Sequence, residues 1–292
     1  MIIDTLVLSG GGPSGIAYTG IYQALLDQKI IDKELTGIKE IITTSIGIFF
    51  ALSMILGLDN KVLYEVIKSF DVSSMIQTDD LCIDDLLVDF GIFPTTGIQR
   101  ICQSLIKNVL HKEDCSLLEL YEFKEIKLTV KVFNATKKQV ELVSYETHPD
   151  LSIITLAQMT TAIPFFFKPV TYRDNLYVDG GLRGSFPIDH CTSENYLGVF
   201  INGLCTTHLF QESVIGQLFP ILDYMYSLLV EQDQIVYDMI DKNIEEANPR
   251  IICSDVSLGL DFDMDEETKD KIILQGYEET IKHIGVHGLK VN

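Results

Sequence analysis

A serine in a sharp strand-to-helix turn is the first residue whose surroundings could support chemistry. Ser45 follows the apolar strand pattern of residues 40–44, and Gly47 lies two residues further on, where an apolar helix pattern begins. This arrangement is typical of a nucleophile elbow, a turn that presents a serine hydroxyl at the end of a strand. An isolated serine in such a turn is more often a local helix cap, so the interpretation depends on accompanying groups.

The second candidate is a glycine loop between a predicted strand and a predicted helix. It reads Gly10-Gly11-Gly12-Pro13-Ser14-Gly15 and matches the pattern G-x-G-x-x-G. In a dinucleotide fold such a loop holds pyrophosphate, and the second strand ends in an acidic residue. The second strand ends here in Thr44-Ser45. The sequence therefore favours another role, in which loop N–H groups stabilise an oxyanion formed at Ser45.

The third candidate is the base that a serine nucleophile needs. Asp179 follows the predicted buried strand Asn175 to Val178 and precedes Gly180 and Gly181. An isolated Asp-Gly-Gly is more often a turn, but the preceding buried strand favours a catalytic carboxylate. The predicted site lies where Ser9, Thr44 and Val178 end their strands.

Together these motifs resemble those of the patatin-like phospholipases, a family of lipid acyl hydrolases. Two other parts of the chain are similar to the family: Thr161 to Pro169, and Leu260 to Asp263 followed by Gln275-Gly276-Tyr277. The resemblance implies a Ser45–Asp179 dyad without a histidine, an oxyanion stabilised by the glycine loop, and an acyl-enzyme hydrolysed by water that Asp179 activates. It also implies a phospholipid or other lipid ester as substrate, and no metal or other cofactor.

Three positions depart from the usual pattern of that family. Thr43 stands where glycine is usual, and its branched side chain is expected to crowd the elbow. Ser14 replaces an Arg or Lys of the glycine loop, and Ser185 stands where Asn is common. None removes a reacting group. A catalytically weak member that binds a lipid or a partner is therefore the alternative function, and a Rossmann-like dinucleotide-binding protein is a less favoured one.

The elements that must position these residues follow from the hydrophobic pattern. Strands are predicted at 5–9, 40–44, 127–134, 139–144, 175–178 and 196–201, and helices at 16–28, 46–58, 62–70, 97–110, 220–241 and 266–284. The early strand-helix alternation predicts parallel neighbouring strands. With the resemblance, it predicts an α/β fold, a three-layer sandwich with a mainly parallel central sheet and helices on both faces. No linker or repeat interrupts the chain, so a single domain over residues 1–292 is expected.

The net charge of the chain limits the kinds of binding partner that are expected. The 42 acidic and 22 basic side chains give a formal charge of −20, which repels nucleic acid and anionic lipid headgroups. Nucleic acid is therefore not an expected partner, and any peripheral membrane contact should rest on apolar groups. The sequence does not indicate an oligomeric state.

The location expected for the chain is cytoplasmic. The six cysteines are widely spaced, as free thiols in a reducing compartment would be. The first residues lack the pattern of a secretory signal. The uncharged run Ile41 to Leu58 is interpreted as a buried strand, turn and helix and not as a membrane span.

Two weaker signals concern metals and a rival mechanism. His283 and His287 could share a helix face, but no third ligand accompanies them. A late histidine would also be needed for a Ser-Asp-His triad like that of α/β-hydrolases. Asp261 to Asp265 mimics the start of a calcium loop, but Glu266 replaces the required glycine, so the segment is interpreted as a helix cap.

Overall fold

The computed structural model of the chain describes residues 2–68, 90–202, 248–256 and 264–289. Its strands are β1 (Thr5–Leu8), β2 (Glu40–Thr44), β3 (Gly91–Phe93), β4 (Lys127–Asn134), β5 (Gln139–Val143), β6 (Phe165–Phe167), β7 (Val170–Tyr172), β8 (Asn175–Asp179), β9 (Tyr196–Ile201) and β10 (Ile251–Ser254). Its α-helices are α1 (Ala17–Asp27), α2 (Gly47–Ile55), α3 (Asn60–Lys68), α4 (Thr96–Leu110), α5 (Leu117–Lys124), α6 (Ile153–Thr161) and α7 (Glu266–His287). Short 3₁₀ helices cover Gly12–Ile16, Gly180–Arg183 and Pro187–His190.

The main sheet has eight strands in the order β10-β9-β1-β2-β4-β8-β7, with β5 paired to β4. Strands β10, β9, β1, β2 and β4 are parallel. β5 and β8 run antiparallel to β4, and β7 runs antiparallel to β8. β3 and β6 form a separate parallel pair. The predicted α/β fold with a mainly parallel sheet is thus confirmed, and the sheet is mixed at one side.

The two faces of the sheet follow from the alternation of side chains along β1 and β2. Leu6 and Leu8 join the large core cluster that includes side chains of α1 and α2. Val7 and Ile42 lie on the other face, in a small cluster with Phe186. The 3₁₀ helix Pro187–His190 contacts β1 and β2. Helical segments therefore cover both faces, as predicted.

Strand β4 carries two partners along one of its edges, and this arrangement places the site. β2 runs parallel to β4 and ends with Thr44 opposite Lys131. β8 runs antiparallel to β4 and ends with Asp179 opposite Val132. Because β5 pairs with residues 130–134 along the other edge, β2 and β8 share one edge and lie end to end. Their carboxyl ends therefore meet.

Helix α7 packs closely against α1, the helix that follows the glycine loop. A Cβ added at Gly20 would lie 1.8 Å from the Ile273 carbonyl oxygen, and one added at Gly276 would lie 2.6 Å from the Ala17 carbonyl oxygen. A Cβ atom would collide at both positions. Glycine therefore lets the backbones of the two helices come this close together. Gly276 of the C-terminal segment singled out in the sequence thus supports the start of α1.

The predicted elements agree with the described ones to within a few residues. The helix predicted at 220–241 and the segment Leu260 to Asp263 lie outside the described residues. Asp265 caps α7 as predicted, because its side chain accepts from Thr268 N at 2.8 Å. Among the described residues, no helix combines the length and the apolar composition needed to cross a membrane.

Candidate active site

Ser45 lies in the turn between β2 and α2, with its side chain directed at Asp179. Its hydroxyl donates to Asp179 Oδ2 at 2.5 Å, and both residues are buried. The backbone φ of Ser45 is +51°, a left-handed conformation that costs a non-glycine residue about 1–3 kcal/mol. This strain is typical of a turn that presents a nucleophile, and here it turns the hydroxyl toward the end of β8.

The strained turn is held in place by Thr160, a threonine of helix α6. Thr160 Oγ1 accepts from Ser45 N at 2.8 Å and donates to the Lys131 carbonyl oxygen at 2.8 Å. Thr160 is fully buried, so these bonds do not compete with water. Because the Ser45 N–H group is engaged by Thr160, it is not a donor toward a bound substrate.

Thr43, the first departure from the family pattern, fits beneath the elbow. A Cβ added at Gly47 would lie 2.2 Å from Thr43 Oγ1 and 2.9 Å from the Ser9 carbonyl oxygen. The missing side chain of Gly47 thus makes room for that of Thr43. Within the described part of the chain, the buried Thr43 hydroxyl has no hydrogen-bond partner. The expected crowding is therefore relieved at Gly47, while the hydroxyl itself is left unsatisfied.

Asp179 is fixed at the end of β8 by its own backbone and by the turn that follows it. Its N–H group donates to the Ala162 carbonyl oxygen at 2.9 Å, and its Oδ1 atom accepts from Gly181 N at 2.7 Å. Oδ2 is the atom that faces Ser45. The two carboxylate oxygens therefore have separate tasks, one for the turn and one for the serine.

Gly180 allows this turn to approach β4 and β2. A Cβ added at Gly180 would lie 2.3 Å from the Lys131 carbonyl oxygen and 2.6 Å from Thr44 Oγ1. Both separations are far shorter than a normal contact. At Gly181 the nearest atom to an added Cβ is Asp179 Oδ1 at 3.1 Å. Of the two predicted glycines, Gly180 is the one that backbone packing requires.

The glycine loop lies beside Ser45. A Cβ added at Gly10 would lie 3.0 Å from the Ser45 Cβ, and one added at Gly15 would lie 2.6 Å from Ile46 Cγ2. A Cβ added at Gly11 would lie 3.2 Å from Ile201 Cγ2. The small size of these glycines therefore lets the loop sit between the nucleophile turn and the end of β9.

The four predicted oxyanion glycines differ in which N–H groups are open. Gly10 N donates to the Ser185 carbonyl oxygen at 2.9 Å. Gly15 lies inside the 3₁₀ helix that follows the loop. In the residues that the structure covers, the N–H groups of Gly11 and Gly12 have no hydrogen-bond acceptor. Gly11 and Gly12 are thus the two loop donors free to receive negative charge.

Hydroxyl groups fix the carbonyl side of the loop. Ser9 Oγ donates to the Gly10 carbonyl oxygen at 2.7 Å and accepts from Ile201 N at 2.9 Å. In a trans peptide the carbonyl and the following N–H point in opposite directions. Holding the Gly10 carbonyl therefore aims the Gly11 N–H away from Ser9.

Tyr18 supports the same network from helix α1. Its hydroxyl donates to the Ser9 carbonyl oxygen at 2.8 Å. Burial raises the pKa of Tyr18 well above its usual value, against a lowering by its hydrogen bonds with Ser9. The phenol thus stays neutral and keeps its proton for this bond.

The other two departures also lie at the site. Ser14 is buried, and in the described residues its hydroxyl has no hydrogen-bond partner. Because this side chain is uncharged, it does not replace the positive charge of the Arg or Lys that is usual in the family. Ser185 connects the two loops, because its carbonyl accepts from Gly10 N and its Cβ lies near Gly10 and Gly181.

The described histidines that could complete a triad have partners elsewhere. His190 lies 3.6 Å from an Asp189 carboxylate oxygen. His283 lies 3.1 Å from the Pro249 carbonyl oxygen, its ring contacts that of His287, and burial lowers its pKa. His208 lies outside the described residues.

Two contributors, Thr160 and Lys131, were not singled out in the sequence, and Ser9 was named only as the end of a strand. Ser9 and Thr160 are small polar residues beside recognised motifs, where sequence gives no clue to their partners. Lys131 did carry a signal, since it is a charged residue between Val130 and Val132 in a predicted strand. Buried lysines are rare unless paired.

Comparison with known proteins places the chain in a family. The family model described as patatin-like phospholipase matches residues 6–192, a range that contains Ser45, Asp179 and the whole glycine loop. This match covers more than half of the chain. It favours the hydrolase interpretation of the glycine loop over the dinucleotide one.

Two viral proteins are similar in sequence. Probable lipid hydrolase 463L of Invertebrate iridescent virus 6 is 29% identical over 185 residues, which are 63% of this chain and 62% of that protein. Uncharacterized protein R571 of Acanthamoeba polyphaga mimivirus is 24% identical over 186 residues, 64% of this chain and 60% of that protein. The chain thus spans about three fifths of the length of these relatives.

Two solved structures share the fold. VipD from Legionella pneumophila has a TM-score of 0.63 and 18% sequence identity, with 98% of this chain and 67% of that chain covered. The type III effector ExoU, from Pseudomonas aeruginosa, has a TM-score of 0.56 and 15% identity, with 99% and 54% covered. At these identities the likeness supports the fold alone.

Proposed function

We propose that this chain, which belongs to the patatin-like phospholipase family, hydrolyses carboxylic esters of lipids with Ser45 as nucleophile and Asp179 as general base. The observation that carries the proposal is the bond of 2.5 Å from Ser45 Oγ to Asp179 Oδ2. It joins a hydroxyl and a carboxylate that are 134 positions apart in sequence. Catalytic groups in a nucleophile–base pair need this direct contact.

In the first step, Ser45 Oγ attacks the ester carbonyl carbon while its proton passes to Asp179 Oδ2. The new bond makes a tetrahedral intermediate with a negative oxygen. Collapse of the intermediate breaks the bond to the alcohol, which leaves with the proton that Asp179 returns. Water, deprotonated by Asp179, then attacks the acyl-enzyme, and the serine regains its proton as the fatty acid is released.

The negative oxygen of the intermediate is received by the N–H groups of Gly11 and Gly12. These groups are open in the described structure, whereas Gly10 N is bonded to Ser185 O. Each oxyanion donor typically contributes about 10²–10³ to the rate. Since Ser45 N is held by Thr160, the glycine loop is the main source of such donors.

The substrate class rests on the family and on a relative named as a probable lipid hydrolase. We propose a phospholipid or other lipid ester. The net charge of −20 opposes an anionic membrane surface, so the substrate should be accepted from a zwitterionic surface, with apolar groups making the contact.

The test is covalent labelling with a fluorophosphonate together with hydrolysis of a soluble ester. Wild-type protein should be labelled at one serine, and Ser45→Ala should lose both labelling and turnover. Ser14→Ala is the matched control, because Ser14 lies in the same loop region and is buried but has no catalytic task in this proposal. It should keep both properties.

Labelling that survives in Ser45→Ala and disappears in Ser14→Ala would contradict the assignment. An unlabelled wild-type protein that still binds vesicles would favour the alternative, a catalytically weak lipid-binding member. The lipid part is tested separately with phosphatidylcholine vesicles. A steep rise in binding with anionic lipid at low salt, lost at high salt, would contradict the surface argument.

A further inference from the structure

The point where β2 and β8 meet end to end is spanned by two adjacent residues of β4. Lys131 lies opposite Thr44, the last residue of β2, and its neighbour Val132 lies opposite Asp179. The two catalytic residues of the proposed function are thus held against adjacent positions of the same strand. Whatever fixes this part of β4 fixes the distance between Ser45 and Asp179.

The backbone of Lys131 holds the serine side. Its carbonyl oxygen accepts from Thr44 Oγ1 at 3.1 Å and from Thr160 Oγ1 at 2.8 Å. Thr160 in turn accepts from Ser45 N. One carbonyl therefore receives hydroxyls from both elements that support the elbow, the end of β2 and the end of α6.

The side chain of Lys131 holds the aspartate side. Its Nζ atom donates to the carbonyl oxygens of Arg183 at 2.6 Å and Gly184 at 2.7 Å. These carbonyls belong to the turn that begins at Asp179 and ends at Ser185. Lys131 is only 1% exposed, so water does not compete for its ammonium group.

Burying an ammonium group is costly unless the group is bonded, and lysine is almost never fully buried without a partner. The Arg183 and Gly184 carbonyls are two of the partners that hold the Lys131 ammonium group inside the protein. This ammonium group connects β4 to the turn after Asp179, the residue whose Oδ2 atom faces Ser45.

We propose that Lys131 is a positioning residue, which holds the turn of residues 179–185 so that Asp179 Oδ2 stays within reach of Ser45 Oγ. The inference rests on the proposed function and adds to it a third residue, which does not touch the substrate. Without the ammonium, the Arg183 and Gly184 carbonyls lose their donor, and the turn is expected to move away from β4. A displacement of about 1 Å at a catalytic group can reduce the rate about 10²-fold.

The test compares Lys131→Met with Lys127→Met. Lys127 lies on the same strand four residues earlier and forms ion pairs with Glu40 and Glu146, away from the site. We expect Lys131→Met to lower kcat and the rate of fluorophosphonate labelling about 10- to 100-fold with KM within about twofold. Lys127→Met should leave kcat unchanged even if it lowers the unfolding temperature.

Amide hydrogen exchange supplies a readout that does not depend on activity. In Lys131→Met the amides of residues 180–185 should exchange faster, while those of residues 10–16 stay as in wild type. Lys131→Gln, which keeps a neutral donor, is the second variant and should lie between wild type and Lys131→Met in both measurements.

Several results would overturn the proposal. They are equal losses of kcat in Lys131→Met and Lys127→Met, a rise in KM at unchanged kcat, or unfolding of both Lys131 variants, which would make the lysine a general stability residue. Absence of Ser45-dependent labelling in wild type is a different failure, that of the proposed function. In that case the exchange of residues 180–185 still decides whether Lys131 holds the turn.

Discussion

The two loops that face Ser45 differ in which groups their hydrogen bonds leave open. The glycine loop, residues 9–16, is held through both N–H and carbonyl groups: Gly10 N donates to the Ser185 carbonyl, and the Gly10 carbonyl accepts from Ser9 Oγ. In the described structure this leaves the N–H groups of Gly11 and Gly12 open. In the proposed mechanism, these two donors receive the negative charge that appears during the reaction.

The aspartate turn, residues 179–185, also has both N–H and carbonyl groups bonded. The N–H groups of Asp179 and Gly181 are bonded, and the carbonyls of Arg183 and Gly184 accept from Lys131. The atom that it presents to Ser45 is Asp179 Oδ2. In the proposed mechanism, one loop offers backbone N–H groups to the substrate, and the other uses its backbone to aim a side chain.

The largest expected effect comes from removing the reacting group of the aspartate turn. Asp179→Asn keeps the shape of the side chain and the Oδ1 bond to Gly181 N, but it loses the basic oxygen that faces Ser45. Turnover of a soluble ester should fall about 10²–10⁴-fold, the usual contribution of a general base. Circular dichroism should show an unchanged fold.

Glutamine variants of the histidines separate a dyad from a triad. In a triad a histidine would take the proton, so one glutamine variant among His190, His208, His283 and His287 would match the loss of Ser45→Ala. In a dyad all four variants stay active. A single folded histidine variant with near-complete loss of turnover would show that the aspartate turn is not the base.

The second prediction concerns how closely the aspartate turn packs on β4. Gly180→Ala places a Cβ 2.3 Å from the Lys131 carbonyl oxygen and 2.6 Å from Thr44 Oγ1, so the turn has to shift. Activity should fall about 10²-fold, since an error near 1 Å at the base is enough for that.

The matched control for this change is Gly181→Ala, whose Cβ would meet Asp179 Oδ1 at 3.1 Å. That contact is tight but not a backbone collision, so the loss of activity should be smaller. Equal losses in the two variants would mean that the turn depends on chain flexibility and not on close packing against β4.

The residues that the structure brings together at the candidate site could be predicted from the sequence better than their geometry. Ser45, Asp179 and the glycine loop stand in local patterns, a strand followed by a tight turn, and such patterns are visible in one stretch of chain. Parallel β1 and β2 followed from the alternation of strand and helix. All these expectations depend on neighbours in sequence.

What could not be predicted depends on partners far apart in sequence. The pattern of β8 does not reveal that this strand runs antiparallel to β4 or that it meets β2 end to end. The short strands β3, β6, β7 and β10 have three or four residues each, too few for a clear period. The choice between Gly10 and its neighbours as donors depends on the Ser185 carbonyl, which sequence does not place.

The third prediction tests the aim of the glycine loop. Ser9→Ala removes the hydroxyl that binds the Gly10 carbonyl and Ile201 N, so the Gly11 N–H is no longer held in one direction. Activity should fall about 10- to 100-fold, less than complete loss of an oxyanion donor would cause. Stability should also fall, by about 1–3 kcal/mol for each buried group left unpaired.

Ser53→Ala is the control for the loss of a buried serine hydroxyl. Ser53 lies in α2, and among the described residues its hydroxyl has no hydrogen-bond partner. It should change activity and stability little. If Ser9→Ala lost stability but kept full activity, the network would support the fold only, and the contrast between the two loops would lose its functional meaning.

The smallest expected effect lies between the loops, at the elbow itself. Thr43→Val replaces a buried hydroxyl that has no partner in the described structure by a methyl group of similar shape. Because such a hydroxyl is a net loss to the folded state, the free energy of unfolding should rise by about 1 kcal/mol. For a domain of this size that is about 2–4 °C in Tm.

Activity of Thr43→Val should stay within about twofold of wild type, since the reacting atoms and both loops keep their contacts. Thr43→Ser is the control: it keeps the hydroxyl and loses the methyl group, so Tm should fall. Tm and kcat together decide between a catalytic and a steric role for Thr43. The catalytic role predicts a fall in kcat, and the steric role predicts a fall in Tm. A large drop in kcat with a raised Tm would show that the hydroxyl takes part in the site. A lowered Tm with unchanged kcat would show instead that the space beside Gly47 fits a hydroxyl but not a methyl group. The elbow would then tolerate threonine only because the hydroxyl is smaller.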